Sequence, residues 1–447
     1  MTLFENFTPW ALFVDLGLIS LLLLVGQVLR AKVKLVQKLF IPPSLIAGLL
    51  GLALGPNGLD WLPFSGELGT YASILIAIVF AALPLSSASA PLKQIVRTAG
   101  PMWAYAQLGM LLQWGIIGLI GLFVFSAIWP DLHPAFAMMF PTGFYGGHGT
   151  AAAIGSAFEG LNWEEARSLG MMTATIGVIC AICGGLIFIK WATRNKQTEF
   201  ISDFSELPDE LRSGLVPESK RTSIGTATTS SISIDSLTFH VAIVCLSALL
   251  GYLCSRGVKS IYPMLELPVF SCAFVFGLIV KRLFDATRVS KYICPQTTQR
   301  IGSLATDLLV AFGVASIKLS VIVKYAIPLV VLLVLGTLLV FLITFYFGRR
   351  LAKNYWFERT IFAWGWWTGT MAMGIALLRI VDPKLSSKAM DDYALAYLPI
   401  APIEIALITF MPILFTNGLG IWLLVGCLLL AMVTILIAWR AKWFIKR

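Results

Sequence analysis

Two glycine-rich segments stand out in this apolar sequence because their backbones can bind an anion. The first reads FPTGFYGGHGTAAAIGSAF, and its candidate substrate-binding residues are Gly146, Gly147, His148, Gly149 and Thr150. The glycines let the chain turn, and the small residues after them begin a helix whose free N–H groups attract anions. The alternative is close helix packing through small residues. We favour the anion site because the second half of the chain has a similar segment at the matching place.

The second segment, FAWGWWTGTMAMGIALLRI, offers the same combination of N–H and hydroxyl groups at Thr368, Gly369 and Thr370. Arg379 stands nine residues beyond Thr370 and is a candidate partner for a carboxylate. Its alternative role is that of an ordinary interfacial arginine at the end of a segment.

Ionisable residues inside apolar segments are candidate functional residues, because a charge in apolar surroundings is costly. Glu404 lies in LPIAPIEIALITF, and Asp307 lies in IGSLATDLLVAFG with Ser303 one helical turn before it. Carboxylate and hydroxyl oxygens suit a hard cation, so Asp307, Ser303 and Glu404 are the candidate cation ligands. The alternatives are that Glu404 pairs with a structural arginine or lies at a dimer contact, and that Asp307 caps a helix.

The chain that must position these residues has the composition of a polytopic, all-α membrane protein. Of its 447 residues, 58% are hydrophobic and 13% are charged, whereas a soluble domain has about 25% charged residues. Apolar runs of the length that crosses a bilayer recur along the sequence. The expected spans lie near residues 9–30, 41–56, 70–87, 101–128, 169–193, 237–255, 266–282, 301–318, 324–348, 394–415 and 420–440.

The order of these segments predicts two related halves. Residues 1–193 contain five spans and the glycine-rich segment 136–158, and residues 237–415 contain five spans and the segment 358–380. In each half, the short second span opens with an aliphatic residue and proline. Duplication of an ancestral unit is the simplest explanation.

Two regions lie outside the repeat. Residues 194–236 are rich in Ser, Thr, Glu and Arg, which predicts a flexible polar linker. Residues 416–447 contain an additional C-terminal transmembrane helix without a counterpart in the first half.

The basic residues predict the orientation, because cytoplasmic loops carry an excess of Lys and Arg. They place the N-terminus outside and the linker and C-terminus in the cytoplasm. With five spans per half, the repeats are inverted, and the glycine-rich segments become re-entrant loops that enter from opposite faces. The net charge of +10 is explained by these loops and requires no nucleic acid.

Inverted repeats with interrupted apolar segments are typical of secondary transporters, which bind their substrate near the bilayer midplane. A channel is disfavoured, because channels usually repeat their re-entrant loops around an oligomeric axis and not as an inverted pair within one chain. An enzyme or a primary pump is not indicated, since the sequence has no HExxH motif and no Walker lysine motif.

The GGHGT motif at 146–150 and the Glu266-Leu267-Pro268 opening resemble the bacterial sodium/glutamate symporter family over most of the chain except span 420–440. This resemblance implies sodium-coupled symport of glutamate by an elevator-type carrier of the bacterial inner (plasma) membrane, in which both loops form one moving substrate site and Na⁺ is the coupling ion. It also implies a homodimer that binds a small anionic substrate. The second loop departs from the family with Trp364, Trp366 and Trp367. Sodium- or proton-coupled symport of another carboxylate or amino acid therefore remains the alternative to glutamate.

Overall fold

The computed structural model describes residues 7–39, 41–86, 92–200, 213–230, 232–261, 267–352, 354–382 and 385–445. Within these ranges every regular element is a helix, and no strand occurs. The all-α prediction is confirmed. The Glu266 of the Glu-Leu-Pro opening lies outside the described residues, as do 201–212 of the linker.

The first half contains nine helices within the described residues. A π-helical turn, Ile120–Phe125, joins α5 to α6, and a 3₁₀ turn, Phe136–Met138, leads into α7. The helices are α1 Pro9–Lys32, α2 Lys34–Lys38, α3 Pro43–Leu54, α4 Leu68–Ser86, α5 Leu92–Leu119, α6 Ser126–Ile128, α7 Met139–Phe144, α8 Gly147–Glu159 and α9 Glu165–Arg194.

The described residues after the linker also form nine helices. They are α10 Ser236–Ile261, α11 Val269–Ala286, α12 Pro295–Ala315, α13 Leu319–Lys324, α14 Ala326–Leu351, α15 Trp356–Thr368, α16 Met371–Val381, α17 Ala389–Thr416 and α18 Gly420–Arg440.

Proline sets several of these helix starts. It occupies the first helical position of α1, α3 and α12, where its missing N–H has no intrahelical partner to lose. The aliphatic-proline openings at Ile41-Pro42 and Leu267-Pro268 accordingly lie just before α3 and α11.

Eight helices of the described residues are long and apolar enough to cross a membrane, and the chain is a multi-pass membrane protein. They match the expected spans in all but three places. The spans expected near 41–56, 266–282 and 301–318 are the helices α3, α11 and α12, of 12, 18 and 21 residues. Helix α3 is shorter than a bilayer core requires, and α11 and α12 are not among the eight.

The helices of the first three expected spans in each half pack together. Helices α1, α3 and α4 contact α10, α11 and α12, and we call this group the six-helix body. The contacts cross between the halves in a reciprocal way, because α3 packs on α12 while α11 packs on α4. Tyr71 and Phe312 form part of one apolar cluster of this body, and Val244 and Ala273 form part of another.

The remaining long helices form a second group, which we call the broken-helix body. It comprises α5, α7, α8, α9 and α14 to α18, around one large apolar core. The additional helix α18 packs on α5, where Gly115 and Gly118 make room for the side chains of Leu428 and Leu424.

Both glycine-rich segments fold as two short helices separated by a break. Tyr145 and Gly146 separate α7 from α8, and Gly369 and Thr370 separate α15 from α16. These two positions are called the first break and the second break below.

Candidate functional site

The two breaks meet inside the broken-helix body. Gly147 has φ +66°, the left-handed region that favours glycine. A Cβ at this position would lie 3.1 Å from the carbonyl oxygen of Gly369 and 3.6 Å from Cγ2 of Thr370. On the far side, Gly177 of α9 lets the Thr368 carbonyl approach so closely that a Cβ there would overlap it. The sequence therefore brings the two predicted segments together through glycine.

Two helix N-termini face this meeting point. Helix α8 begins at Gly147, and α16 begins just after Thr370, whose hydroxyl accepts a hydrogen bond of 3.3 Å from the Met373 N–H. The first N–H groups of each helix lack intrahelical acceptors, and the helix dipoles add partial positive charge. The arrangement can bind an anion such as a carboxylate.

The residues of the first motif, Gly146 to Thr150, differ in what they contact. Nε2 of His148 lies 3.1 Å from the Thr175 hydroxyl, which itself donates to the Met171 carbonyl. His148 therefore donates from Nε2 and anchors α8 to α9, with only 3% of its surface exposed. A Cβ on Gly149 would lie 3.5 Å from Ile76 of α4, so this glycine faces the six-helix body. Gly146 packs directly against the Thr150 side chain.

In the second segment, Thr368 is buried and its hydroxyl donates to the Trp364 carbonyl at 2.6 Å. Arg379 lies in the last turn of α16, which places its Cα about 13 Å along the helix from Thr370. Its Nε is buried without a hydrogen-bond partner among the described residues. The structure thus brings Thr368, Gly369 and Thr370 to the first break and places Arg379 at the opposite end of α16.

The candidate cation ligands belong to different bodies. Ser303 and Asp307 lie one turn apart on an exposed face of α12 in the six-helix body, and the Ser303 hydroxyl donates to the Gln299 carbonyl at 3.0 Å. Glu404 lies on α17 in the broken-helix body and accepts a hydrogen bond of 2.9 Å from the Tyr397 hydroxyl. Across the described ranges, no cluster of three or more His, Cys, Asp or Glu residues is arranged to hold a metal ion.

Four aromatic residues line the region between Glu404 and the breaks, and sequence reasoning missed three of them. Tyr145 of the first break lies 5.1 Å from Trp366, measured between ring centroids, and Trp366 lies 4.3 Å from Tyr393 and 6.0 Å from Tyr397. We call Tyr145, Trp366, Tyr393 and Tyr397 the aromatic wall. The hydroxyls of Tyr145 and Tyr393 are buried and have no hydrogen-bond partner within the described part of the chain.

A signal for this wall was present in the sequence. Tyr393, Tyr397 and Glu404 are spaced by four and seven residues, which places them on one face of α17. Tyr145 directly precedes the GGHGT motif. Only the packing of α15 against α17 could add Trp366 to this set.

A cleft of about 330 Å³ separates the two bodies beside α8. It is lined by α4, α8 and α10 and contains the basic residues Arg167, Arg256 and Lys259 with the acidic residue Glu159. A mostly basic lining raises the local concentration of anions. The cleft follows α8 from Glu159 to Ala153, towards the breaks.

Arg167 ties the two bodies together at this cleft. Its Nε donates to Glu159 at 2.6 Å within the broken-helix body. In the six-helix body, its guanidinium donates to the Ser73 hydroxyl at 2.7 Å and also to the Gly69 carbonyl. We call this set of contacts the Arg167 fork.

In the loop between α6 and α7, His133 is held in its neutral form. Its ring stacks on Trp163 at 4.0 Å, and its Nδ1 accepts a hydrogen bond of 3.2 Å from the Ala135 N–H. Burial lowers the pKa of His133 to about 4, against the opposing effect of the Glu165 carboxylate.

Comparison with known proteins identifies the family of this chain. The family described as sodium/glutamate symporter matches residues 12–372, which include both breaks. Arg379, Tyr393, Tyr397 and Glu404 follow the matched range, as does helix α18.

Two characterised relatives carry the same description. The sodium/glutamate symporter of Haemophilus influenzae is 24% identical over 352 residues, which are 76% of this chain and 81% of that protein. The sodium/glutamate symporter of Escherichia coli K12 is 23% identical over 343 residues, which are 75% and 80% of the two chains. The chain therefore belongs to the sodium/glutamate symporter family and is a transporter rather than an enzyme.

Proposed function

We propose that this protein couples the entry of sodium to the uptake of glutamate, with the substrate held between the two breaks. The observation that carries this proposal is the meeting of Gly147 with Gly369 and Thr370, where the N-termini of α8 and α16 face one space. Backbone N–H groups there bind one carboxylate of the substrate. The GGHGT residues, Thr368, Gly369 and Thr370 are the proposed binding residues, and Arg379 assists only if α16 shifts.

The coupling ion has a separate place in this proposal. Helices α7 and α15 end at the breaks, so their last carbonyl groups lie there. In transporters with broken helices, such carbonyl groups coordinate the coupling cation. Glu404 adds a carboxylate within the same body, beside the aromatic wall. The chemistry of these oxygen donors fits Na⁺. Ser303 and Asp307 are proposed to act from the six-helix body, where they meet the ion only at a particular stage of transport.

Alternating access is proposed to occur by an elevator movement of the broken-helix body against the six-helix body. The reciprocal packing of α3 on α12 and of α11 on α4 supports an inverted repeat of residues 1–193 and 237–415. The segments 136–158 and 358–380 are then re-entrant loops. We further propose that residues 194–236 link the two halves and that residues 416–447 are an addition to the repeat. We also propose that the protein is a homodimer of the inner membrane with its N-terminus outside.

A second substrate class is favoured by one observation. The aromatic wall brings Trp366 against Tyr145 at 5.1 Å, beside the space assigned to the substrate. Aromatic faces attract ammonium groups and fill volume. Sodium- or proton-coupled uptake of another carboxylate or amino acid is therefore the alternative.

Uptake of radiolabelled L-glutamate into proteoliposomes tests the proposal. We expect accumulation with an inward sodium gradient and none with potassium, and loss of accumulation in the His148→Ala and Gly147→Leu variants. A proton gradient without sodium tests the alternative coupling, and competition by unlabelled amino acids and dicarboxylates tests the alternative substrates. Folded protein that accumulates glutamate equally under all gradients would contradict sodium coupling.

A further inference from the structure

An apolar groove of about 540 Å³ opens on the outer surface of the broken-helix body, away from the two breaks. It runs between the last turns of α9 and α14, which both end spans of the membrane. Its walls are Ile187, Phe188, Phe341 and Phe345, and 66% of the Ile187 surface is exposed. The groove is thus open to the hydrocarbon of the bilayer and can hold a flexible chain.

Two arginines stand at the mouth of the groove. Arg350 lies 3.9 Å over the ring of Tyr346, and Arg349 lies 4.7 Å over Trp356 and 6.0 Å over Trp191. Among the described residues, neither arginine forms an ion pair with a carboxylate. A guanidinium stacked on an aromatic ring keeps its N–H edge available for a phosphate.

We propose that this groove binds an anionic phospholipid. One acyl chain lies along Phe188, Phe341 and Phe345, and the headgroup phosphate binds Arg349 and Arg350. The charges decide the lipid class, because two cations without a carboxylate partner among the described residues favour a lipid with net negative charge over a zwitterionic one. Trp191 and Tyr346 line the groove beside the two arginines, and amphipathic rings of this kind are enriched where a membrane meets water.

The lipid supports the second break through one side chain, in a step that rests on the proposed function. Phe188 packs edge-on against Trp364 at 4.9 Å, and the Trp364 indole donates to the Ala181 carbonyl at 3.1 Å. The Trp364 carbonyl in turn accepts the Thr368 hydroxyl at the break. An acyl chain against Phe188 therefore steadies the position of α15 relative to α9.

Native mass spectrometry of the purified, delipidated protein tests the binding directly. The protein is supplied with phosphatidylglycerol or with phosphatidylcholine, and bound lipid is counted per chain. We expect phosphatidylglycerol to bind the unmodified protein, and its occupancy to fall at least about fivefold in the Arg349→Gln/Arg350→Gln variant, in which two charge-assisted contacts are lost. Phosphatidylcholine is expected to bind weakly to both.

Matched variants separate this site from general charge effects. Arg282→Gln/Arg288→Gln removes the same charge from exposed residues of the six-helix body and is expected to retain the lipid. Ile187→Trp fills the groove while keeping both arginines and is expected to lose it. Excess inorganic phosphate is expected not to displace the lipid, since it lacks the acyl chain. Equal occupancy in the arginine pair variant and in its control would overturn the proposal, as would binding that survives Ile187→Trp.

Glutamate uptake is measured separately in liposomes with and without phosphatidylglycerol. Faster uptake with this lipid, abolished by Arg349→Gln/Arg350→Gln, supports the link through Phe188 and Trp364. Lipid binding without any effect on uptake overturns that link and leaves the lipid site intact. Absence of uptake in every liposome contradicts the proposed function, whereas the mass spectra still decide the lipid site.

Discussion

Gly147 is constrained by both its backbone conformation and the second break beside it. Its φ is +66°, and a Cβ added to it would lie only 3.1 Å from the Gly369 oxygen, which leaves little room for any side chain. Alanine in the left-handed region costs roughly 1–2 kcal/mol. We expect Gly147→Ala to reduce sodium-driven uptake about tenfold, which corresponds to such a cost at the site. Gly426→Ala is the control, because nothing lies within 4 Å of its Cβ position. Equal uptake by both variants would contradict the close approach of the breaks.

Glu404 is the proposed ion ligand that lies beside the aromatic wall. It lies in the broken-helix body with a hydrogen bond from Tyr397 at 2.9 Å. We expect Glu404→Gln to raise the sodium concentration for half-maximal uptake at least about tenfold, because a charged contact contributes roughly 1.5–3 kcal/mol. Glu164→Gln is the control, since its side chain is 76% exposed. An unchanged sodium dependence in folded Glu404→Gln would remove Glu404 from the ion site.

Among the elements, α18 has a structural task that the sequence left unexplained. Gly118 of α5 lies so close to α18 that a Cβ there would overlap the Leu424 side chain. Leucine at this position overpacks the interface, at a cost of about 1–3 kcal/mol. We expect Gly118→Leu to lower the midpoint of thermal unfolding in detergent. Gly17→Leu places the same side chain where nothing lies within 4 Å and should leave the midpoint unchanged. If both variants melt alike, α18 is not packed on α5 as described.

The Arg167 fork joins α4 to α8 and α9, so its hydrogen bonds must break whenever one body moves relative to the other. Its contacts with Ser73, Gly69 and Glu159 favour the arrangement seen here. In a variant without native cysteines, Ser156→Cys places a thiol in the cleft. The rate at which this thiol reacts with N-ethylmaleimide reports how often the protein adopts this arrangement.

We expect Arg167→Gln to slow the labelling of that cysteine at least about fivefold. Without charged hydrogen bonds of roughly 1.5–3 kcal/mol, the arrangement that contains this cleft is populated less often. Arg256 lies in the same cleft but contacts Tyr252 of its own helix and does not join the bodies. The labelling rate in Arg256→Gln should therefore match that of the parent protein. Unaltered labelling in Arg167→Gln would mean that the fork does not set the balance between conformations.

The stability of the whole molecule should depend on pH through His133. Burial lowers its pKa to about 4 in the folded chain, whereas the unfolded value is about 6.5. The unfolded chain therefore takes up a proton first, and stability is lost as the pH falls from about 6.5 towards 4. We expect the unfolding midpoint of the parent protein to fall more between pH 7 and pH 5 than that of His133→Asn. Parallel curves for the two proteins would contradict a buried, neutral His133.

Much of this architecture could be predicted from the sequence, because glycine and proline mark both breaks and several helix starts. Gly146, Gly147 and Gly369 lie in glycine-rich segments between the apolar runs whose lengths predict membrane helices. The partners of the ionisable residues could not be predicted in this way. Glu404 and Asp307 both lie within apolar stretches of the sequence, yet they lie in different bodies. Which helices pack together depends on contacts between distant segments, and periodicity along one helix does not contain that information.

The convergence of α8 and α16 also bears on how the specificity of this protein changes during evolution. The proposed anion cradle is built from main-chain amides, so replacing a side chain does not remove its donors. Trp366 and Tyr393, by contrast, form their surface from side chains. Mutations there can reshape the volume offered to a substrate while the cradle persists. New substrates that keep a carboxylate are then accessible through few substitutions, without a stage at which anion binding is lost.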